Sequence, residues 1–279
     1  MPSRRAYLAT LTAAGLSGCV GTSPGSTTDS ATDTASTAPG TSSRPAVTIE
    51  AAAVQYAYRH IENVDWNAIR PADGQFVFVT VDASGVEPVV SREAFTLVTA
   101  DGVYRPVEIE QYYPVDVDVP GALYAPERDD ADPRGWLAFE VPAQLETAPS
   151  LRLERDTDSW EWGLDTEKAT TPPPAWDWAA SVPDTVAPDE TFDVTVSAEN
   201  VGDGPGTFRG AVNFSHPLYR PKGFDIVLDP GESREATVSA SSEDAAPGTE
   251  LQYGVRTPAG ESTVAVAVET ESNSTESTN

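Results

Sequence analysis

Residues 191–200 have the sequence TFDVTVSAEN, in which apolar and polar side chains alternate. Phe192, Val194 and Val196 fall on one side of an extended chain. Because successive side chains of a strand point to opposite faces, this period of two predicts a β-strand with one buried face. The same alternation continues in three later segments, which are TFRGAVNF (207–214), ELQYGVRT (250–257) and TVAVAVE (263–269).

Turn sequences separate these strands. Proline, glycine and aspartate recur between them, at 187–189, 201–204, 229–231 and 247–248. Short strands at regular spacing with such turns predict an antiparallel β-sandwich in the second half of the chain.

The first half also consists of predicted strands. QFVFVTVD (75–82) is apolar on both faces and suits the centre of a sheet, and Asp101-Gly102 between apolar runs predicts a hairpin. GWLAFEVP (135–142) and LRLER (151–155) repeat the alternation. Residues 47–61 are ambiguous, since their alanines also suit a helix. The fold class that we predict is all-β, with two antiparallel sandwiches.

The composition predicts where the domains begin and end. Residues 19–44 are rich in Ser and Thr and too poor in large apolar residues to fold, and the three prolines at 172–174 separate the two halves. We predict a signal peptide (1–18), a disordered stalk (19–44), an N-terminal sandwich (45–165), a proline-rich junction (166–178), a C-terminal sandwich (179–268) and a disordered tail (269–279).

The C-terminal half resembles the cell-adhesion-related domain of bacterial and archaeal surface proteins. Asn200-Val201-Gly202 after an alternating strand, and Leu228-Asp229-Pro230-Gly231-Glu232 before the next one, match its turns. The N-terminal half resembles, through FVFVTVD, its Asp101-Gly102 hairpin and GWLAFEVP, an immunoglobulin-like domain of exported lipoproteins. These resemblances imply two immunoglobulin-like sandwiches that are displayed outside the cell, and neither implies catalysis.

The first residues resemble an export address. Arg4 and Arg5 precede a short apolar run, Ala6 to Leu16, as in a twin-arginine signal. Leu16-Ser17-Gly18-Cys19 resembles a lipobox, which implies that Cys19 is lipidated. The run is shorter than the roughly 20 residues that a spanning helix needs. We therefore expect a lipid-anchored protein on the extracellular face of the cell membrane, with membrane lipid as one partner.

The charge restricts the other partners. The chain has 44 acidic and 17 basic residues, a formal net charge of −27. Such a surface repels nucleic acid, so we expect no nucleic-acid partner. Together with the twin-arginine lipobox, the acidic and lysine-poor composition resembles secreted lipoproteins of halophilic archaea.

Few residues suggest chemistry. The only histidines are His60 and His216, and the single cysteine is Cys19. Carboxylate pairs at 108 and 110 and at 116 and 118, and the acidic run Asp129 to Asp132, are expected by chance in so acidic a chain, although the run leaves open a cation site. We predict no catalytic residue, metal or cofactor.

Two further features are candidate sites. Trp160, Trp162, Trp176 and Trp178 flank the proline-rich junction, where they can form either an apolar plug between the sandwiches or a platform for a sugar. Asn213 and Asn273 begin glycosylation sequons, and the alternation places Asn213 on an outward face.

The sequence thus predicts a non-enzymatic surface protein that mediates binding or assembly, with a membrane or envelope protein as partner. The alternative is a module that captures a sugar or small solute at the tryptophan-rich junction. A hydrolase that uses paired carboxylates is a more distant alternative.

The charge generates a prediction about salt. Repulsion among the acidic side chains destabilises the compact state, and molar salt shortens the Debye length to about 3 Å and removes most of that repulsion. We expect the thermal midpoint to fall as potassium chloride is lowered below the molar range, as measured by tryptophan fluorescence. A midpoint that is the same in dilute buffer and in molar salt would contradict the salt-adapted interpretation.

Overall fold

The computed structural model describes residues 45–109, 113–127, 132–214 and 221–270, which belong to one compact unit. The described residues form strands and two short 3-10 turns, Arg92–Ala94 and Glu167–Thr170. No helix among them is long and apolar enough to cross a membrane. The predicted all-β fold of two antiparallel sandwiches is confirmed.

The described part of the N-terminal sandwich has eight strands in two four-stranded sheets. One sheet has the order β5-β1-β2-β6 and the other β4-β3-β7-β8. The strands are β1 (Thr48–Asn63), β2 (Trp66–Asp82), β3 (Phe95–Val98), β4 (Val103–Tyr104), β5 (Val115–Asp116), β6 (Arg134–Val141), β7 (Ser150–Arg155) and β8 (Asp158–Gly163).

The central strand of this sandwich is buried on both faces, as QFVFVTVD predicts. Val77, Val79 and Val81 pack into the core between the two sheets. Phe76 and Phe78 point the other way, into a second cluster that also contains Trp136, Ile109 and Val119. The predicted hairpin at Asp101-Gly102 is confirmed, since β3 pairs with β4 there. The ambiguous stretch 47–61 is strand β1 rather than a helix.

The hairpin of β1 and β2 extends beyond the core of its own sandwich. Gln55 pairs with Phe76 but Ala57 pairs with Pro71, so residues 72–75 form a bulge in β2. Gly74 lies in this bulge, and a Cβ there would be only 2.2 Å from the carbonyl oxygen of Val141. The bulge divides the hairpin into a basal half in the N-terminal core and a distal half, residues 57–71.

The C-terminal sandwich combines a five-stranded sheet, β10-β16-β15-β12-β13, with a three-stranded sheet, β14-β11-β9. Its strands are β9 (Trp176–Ser181), β10 (Thr185–Val186), β11 (Thr191–Asn200), β12 (Gly206–Phe214), β13 (Lys222–Leu228), β14 (Ser233–Ser241), β15 (Glu250–Thr257) and β16 (Gly260–Val268). β9 pairs with β11 from Trp176 onward, inside the range that we assigned to the junction. This sandwich therefore begins three residues earlier than the sequence predicted.

β11 has the alternation that TFDVTVSAEN predicts. Phe192, Val194, Val196 and Ala198 are buried in the core between the two sheets. The strand ends at Asn200, a polar residue that is completely buried.

Asn200 holds together the turns at one end of this sandwich. Its Nδ2 donates hydrogen bonds to the carbonyl oxygens of Gly204 at 2.8 Å and Leu228 at 3.2 Å. Its Oδ1 accepts hydrogen bonds from the backbone N–H groups of Gly202 at 3.1 Å and Ala175 at 3.3 Å. One side chain thus satisfies four backbone groups from three separate segments.

Replacing Asn200 with Ala should lower the free energy of unfolding by about 3 kcal/mol, because buried backbone groups lose their partners. Chemical denaturation measures this change. Asn63→Ala is the matched control, since Asn63 is exposed at the end of β1 and accepts one hydrogen bond, from the N–H of Asp65. Equal losses in the two variants would show that the Asn200 network has no special role.

Candidate functional site: the junction of the two sandwiches

The outward face of β12 is covered by the distal half of the β1–β2 hairpin. The backbone N–H of Asn67 donates to Oδ1 of Asn213 at 3.0 Å, and Nδ2 of Asn213 donates back to the carbonyl oxygen of Asn67, also at 3.0 Å. Near the hairpin tip, the guanidinium of Arg256 lies over the ring of Trp66, 4.5 Å from its centroid. The two sandwiches are therefore joined by polar contacts at this face.

Five charged residues form the centre of this contact, and we call them the ionic seam. They are Arg59, Asp116 and Asp118 of the N-terminal sandwich, and Arg209 and Asp225 of the C-terminal one. Arg209 is the most buried member, with only 4% of its side chain exposed. Its Nη2 donates to Asp118 at 2.7 Å and its Nε donates to Asp225 at 3.0 Å.

The charges around Arg209 favour its ionised form. Burial alone would lower the pKa of this guanidinium, but hydrogen bonds and charges from Asp118 and Asp225 outweigh burial and raise the pKa above its ordinary value. Its Nη1 also donates to the backbone oxygen of Asp116 at 3.3 Å. The buried charge is therefore compensated from both sandwiches.

Arg59 belongs to the N-terminal sandwich and binds groups of the C-terminal one. It donates to the carbonyl oxygens of Gly210 at 3.0 Å and Phe224 at 3.3 Å, and forms ion pairs with Asp225 and Asp116. The guanidinium lies directly against Gly223, where a Cβ would be 2.2 Å from Cζ of Arg59. A larger residue at this position would force the guanidinium of Arg59 to shift.

A cleft opens beside the seam, and we call it the junction cleft. Its volume is about 620 Å³. Apolar residues from both sandwiches, including Ile61, Val64 and Pro221, lie next to a few polar ones. The described residues that line it are Arg59, His60, Ile61, Val64, Asn67, Pro114, Val115, Asp116 and Pro221. Concave sites with apolar walls and few polar groups are typical of binding sites.

The imidazole of His60 packs beside Tyr58. Strand alternation places its side chain on the face opposite to Arg59 and Ile61, where its ring centroid lies 5.9 Å from that of Tyr58. Burial lowers the pKa of this imidazole, with a smaller opposing effect from Glu62. Burial therefore favours the neutral form of the ring, which packs beside Tyr58.

The predicted cluster of four tryptophans is wrong. Trp160 and Trp162 lie on β8 and pack against the N-terminal core. Trp176 and Trp178 lie on β9 and pack against the C-terminal core, with their rings 5.4 and 6.3 Å from that of Phe208. The four indoles are divided between two cores because β8 and β9 belong to different sandwiches.

The expectation that Asn213 is accessible is also wrong. The alternation correctly places its side chain on the outward face of β12, but the hairpin covers that face and leaves Asn213 1% exposed. A glycan on Nδ2 would displace the hydrogen bond to Asn67. Arg4, Arg5, Cys19, His216 and Asn273 lie outside the described residues, and so do residues 129–131 of the acidic run.

The sequence analysis identified two of the five residues of the ionic seam but not the ion pairs that they form. Asp116 and Asp118 were noted as a carboxylate pair, and the structure shows them bound to Arg59 and Arg209 instead. In the described part of the chain, no group of three or more His, Cys, Asp or Glu side chains could hold a metal. Arg59 and Arg209 were missed because no local pattern links Arg59 to Gly210, 151 positions away, or Arg209 to Asp118, 91 positions away.

Comparisons with known proteins give the following similarities. The CARDB domain of a Pyrococcus furiosus protein, solved in complex with di-metal ions, is 17% identical over 35% of this chain and 96% of that domain, with a TM-score of 0.30. A β-glucosidase from Listeria innocua, in complex with isofagomine, is 19% identical over 34% of this chain, with a TM-score of 0.29. A β-glucosidase from Erythrobacter marinus is 17% identical over 34%, with a TM-score of 0.28. The chain spans 16% of the length of each β-glucosidase. No protein-family model matches the chain, and no curated protein matches it.

The seam generates a stability prediction. Arg209→Ala removes the charge that compensates Asp118 and Asp225, and it should lower the free energy of unfolding by about 2 kcal/mol, less than for fully buried partners because both carboxylates are partly hydrated. Denaturation followed by tryptophan fluorescence measures the loss. Arg234→Ala, which removes a surface pair with Glu232, is the control and should change little. If the two variants unfold alike, the seam does not hold the sandwiches together.

Proposed function

We propose that the protein is a non-enzymatic surface protein that mediates binding or assembly at the outer face of the cytoplasmic membrane. Cys19 attaches it to membrane lipid, the Arg4-Arg5 signal directs its export, and residues 19–44 act as the stalk. Its partner is a membrane or envelope protein, and its acidic surface is adapted to concentrated salt.

The observation that carries this proposal is the ionic seam. Independent sandwiches on a flexible linker change their relative orientation, whereas Arg59 and Arg209 bind groups of both sandwiches at once. A surface composed of residues from both sandwiches therefore keeps its shape. The junction cleft is such a surface, because Pro221 of the C-terminal sandwich faces Ile61 and Val64 of the hairpin.

The tryptophan platform is not part of this proposal. Its four members pack on two cores, so they no longer support a common sugar site. The junction cleft replaces it as the place where a partner is expected to bind.

The anchor and the binding role can be tested together in cells that export the full chain. The wild-type protein should fractionate with membranes and Cys19→Ser should not, because the thiol that receives the lipid is missing. Ser23→Ala, a change in the same stalk, is the control and should remain with the membranes. Cross-linking of whole cells at native salt should then recover one membrane or envelope protein in stoichiometric amount with the wild type.

Two outcomes would contradict the proposal. Wild type and Cys19→Ser in the same fraction would rule out the lipid anchor. Recovery of no protein above the background of an unrelated tagged lipoprotein would rule out stable assembly.

A further inference from the structure

We propose that the junction cleft binds a segment of a partner protein in which apolar side chains are flanked by Lys or Arg. This inference rests on the proposed binding function and specifies the chemistry of the partner. It follows from the apolar rim of the cleft, from the pairing of its arginines and from the charge around it.

The rim presents apolar surface to solvent in an otherwise highly charged protein. Val64, in the turn of the hairpin, is 69% exposed, the highest value for a large hydrophobic side chain among the described residues. Ile61 and Tyr113 are exposed in the same region, and Tyr113 directly precedes the cleft residues Pro114 and Val115. Clustered exposed apolar residues rimmed by polar ones indicate an interaction site.

The floor of the cleft does not favour an anion. Arg59 lines it, but its guanidinium is already paired with Asp116 and Asp225 and donates to two carbonyl oxygens. Arg256 beyond the hairpin tip is paired with Glu261 and lies over Trp66. Within the described ranges, the guanidinium groups of Arg59 and Arg256 are thus each paired with carboxylates of this chain.

Acidic side chains lie at and beside the cleft. The side chain of Asp116 is 47% exposed at the cleft wall. Glu62 follows Ile61 at the end of β1 and is exposed, and Asp65 follows Val64 in the turn. Acidic groups beside an apolar surface favour partners with cationic groups at the edge of an apolar contact, and the net charge of −27 favours them also at long range.

The position of the rim indicates a protein segment as the occupant. The apolar residues come from the hairpin tip, from β5 and from Pro221, which directly precedes β13, so they surround an open cleft rather than an enclosed pocket. A side chain from a partner can enter between them while flanking cationic residues approach Asp116 at the cleft wall and the acidic residues of the hairpin tip.

Binding of synthetic peptides to the full chain tests this assignment. The probes are fluorescein-labelled peptides with the sequences KRGLVLGRK, EDGLVLGED and KRGSTSGRK, and the measurement is fluorescence anisotropy at two potassium chloride concentrations that keep the protein folded. The first peptide should bind, and the acidic and hydroxyl-rich ones should bind at least tenfold more weakly. Val64→Ser should weaken binding of the first peptide about tenfold, because burial of a valine side chain contributes to affinity on that scale.

Val227→Ser is the matched control, since Val227 is 63% exposed on β13 but does not line the cleft. It should bind the first peptide as the wild type does. The proposal is overturned if KRGLVLGRK does not bind, if EDGLVLGED binds equally well, or if Val227→Ser weakens binding as much as Val64→Ser.

The cross-linking experiment separates failure of this inference from failure of the proposed function. If Val64→Ser loses a partner that the wild type recovers but the basic peptide does not bind, the cleft is an assembly site with another specificity. If the wild type recovers no partner, the proposed function itself fails.

Discussion

The burial of Arg209 is the constraint on which the arrangement of the two sandwiches depends. A guanidinium that is removed from water requires carboxylates within hydrogen-bond distance. Asp225, in the same sandwich as Arg209, is one of the two carboxylates that pair with it. Asp118 of the N-terminal sandwich is the other, so the segment that carries Asp116 and Asp118 must lie against β12. The hairpin next to that segment then covers β12, and the junction cleft lies where this cover ends.

Local periodicity predicted what is decided locally. The alternation of TFDVTVSAEN and the doubly apolar QFVFVTVD specified strands and their buried faces, because a strand packs according to the side chains that it presents. The same reasoning failed at Asn213. Alternation tells which side of a sheet a residue occupies, but it does not tell what covers that side, and the covering residue Asn67 lies 146 positions away. The prediction that the four tryptophans meet at the junction is wrong for a related reason. Closeness in sequence to a domain boundary does not determine which core a side chain joins.

Two buried asparagines show how the fold uses amide side chains in place of backbone partners. Asn200 binds backbone groups of turns in its own sandwich, whereas Asn213 pairs with the backbone of Asn67 much as a neighbouring strand would. The turn motif around Asn200 was visible in the sequence, because its partners Gly202 and Gly204 follow it directly. The candidate site was therefore predictable in its strands but not in its seam or cleft, both of which arise only from long-range contacts.

The length of the β1–β2 hairpin has a consequence for biosynthesis. Its distal half emerges from the ribosome long before β12 and β13, which supply the groups that Arg59 and Asn67 bind. Until those strands are made, the hairpin tip can neither dock nor pair its guanidinium, and contacts of such large sequence separation form slowly. Folding of the N-terminal sandwich is therefore completed only together with that of the C-terminal one. The N-terminal one can close its core early, but the hairpin reaches its final position only when nearly the whole chain has been synthesised.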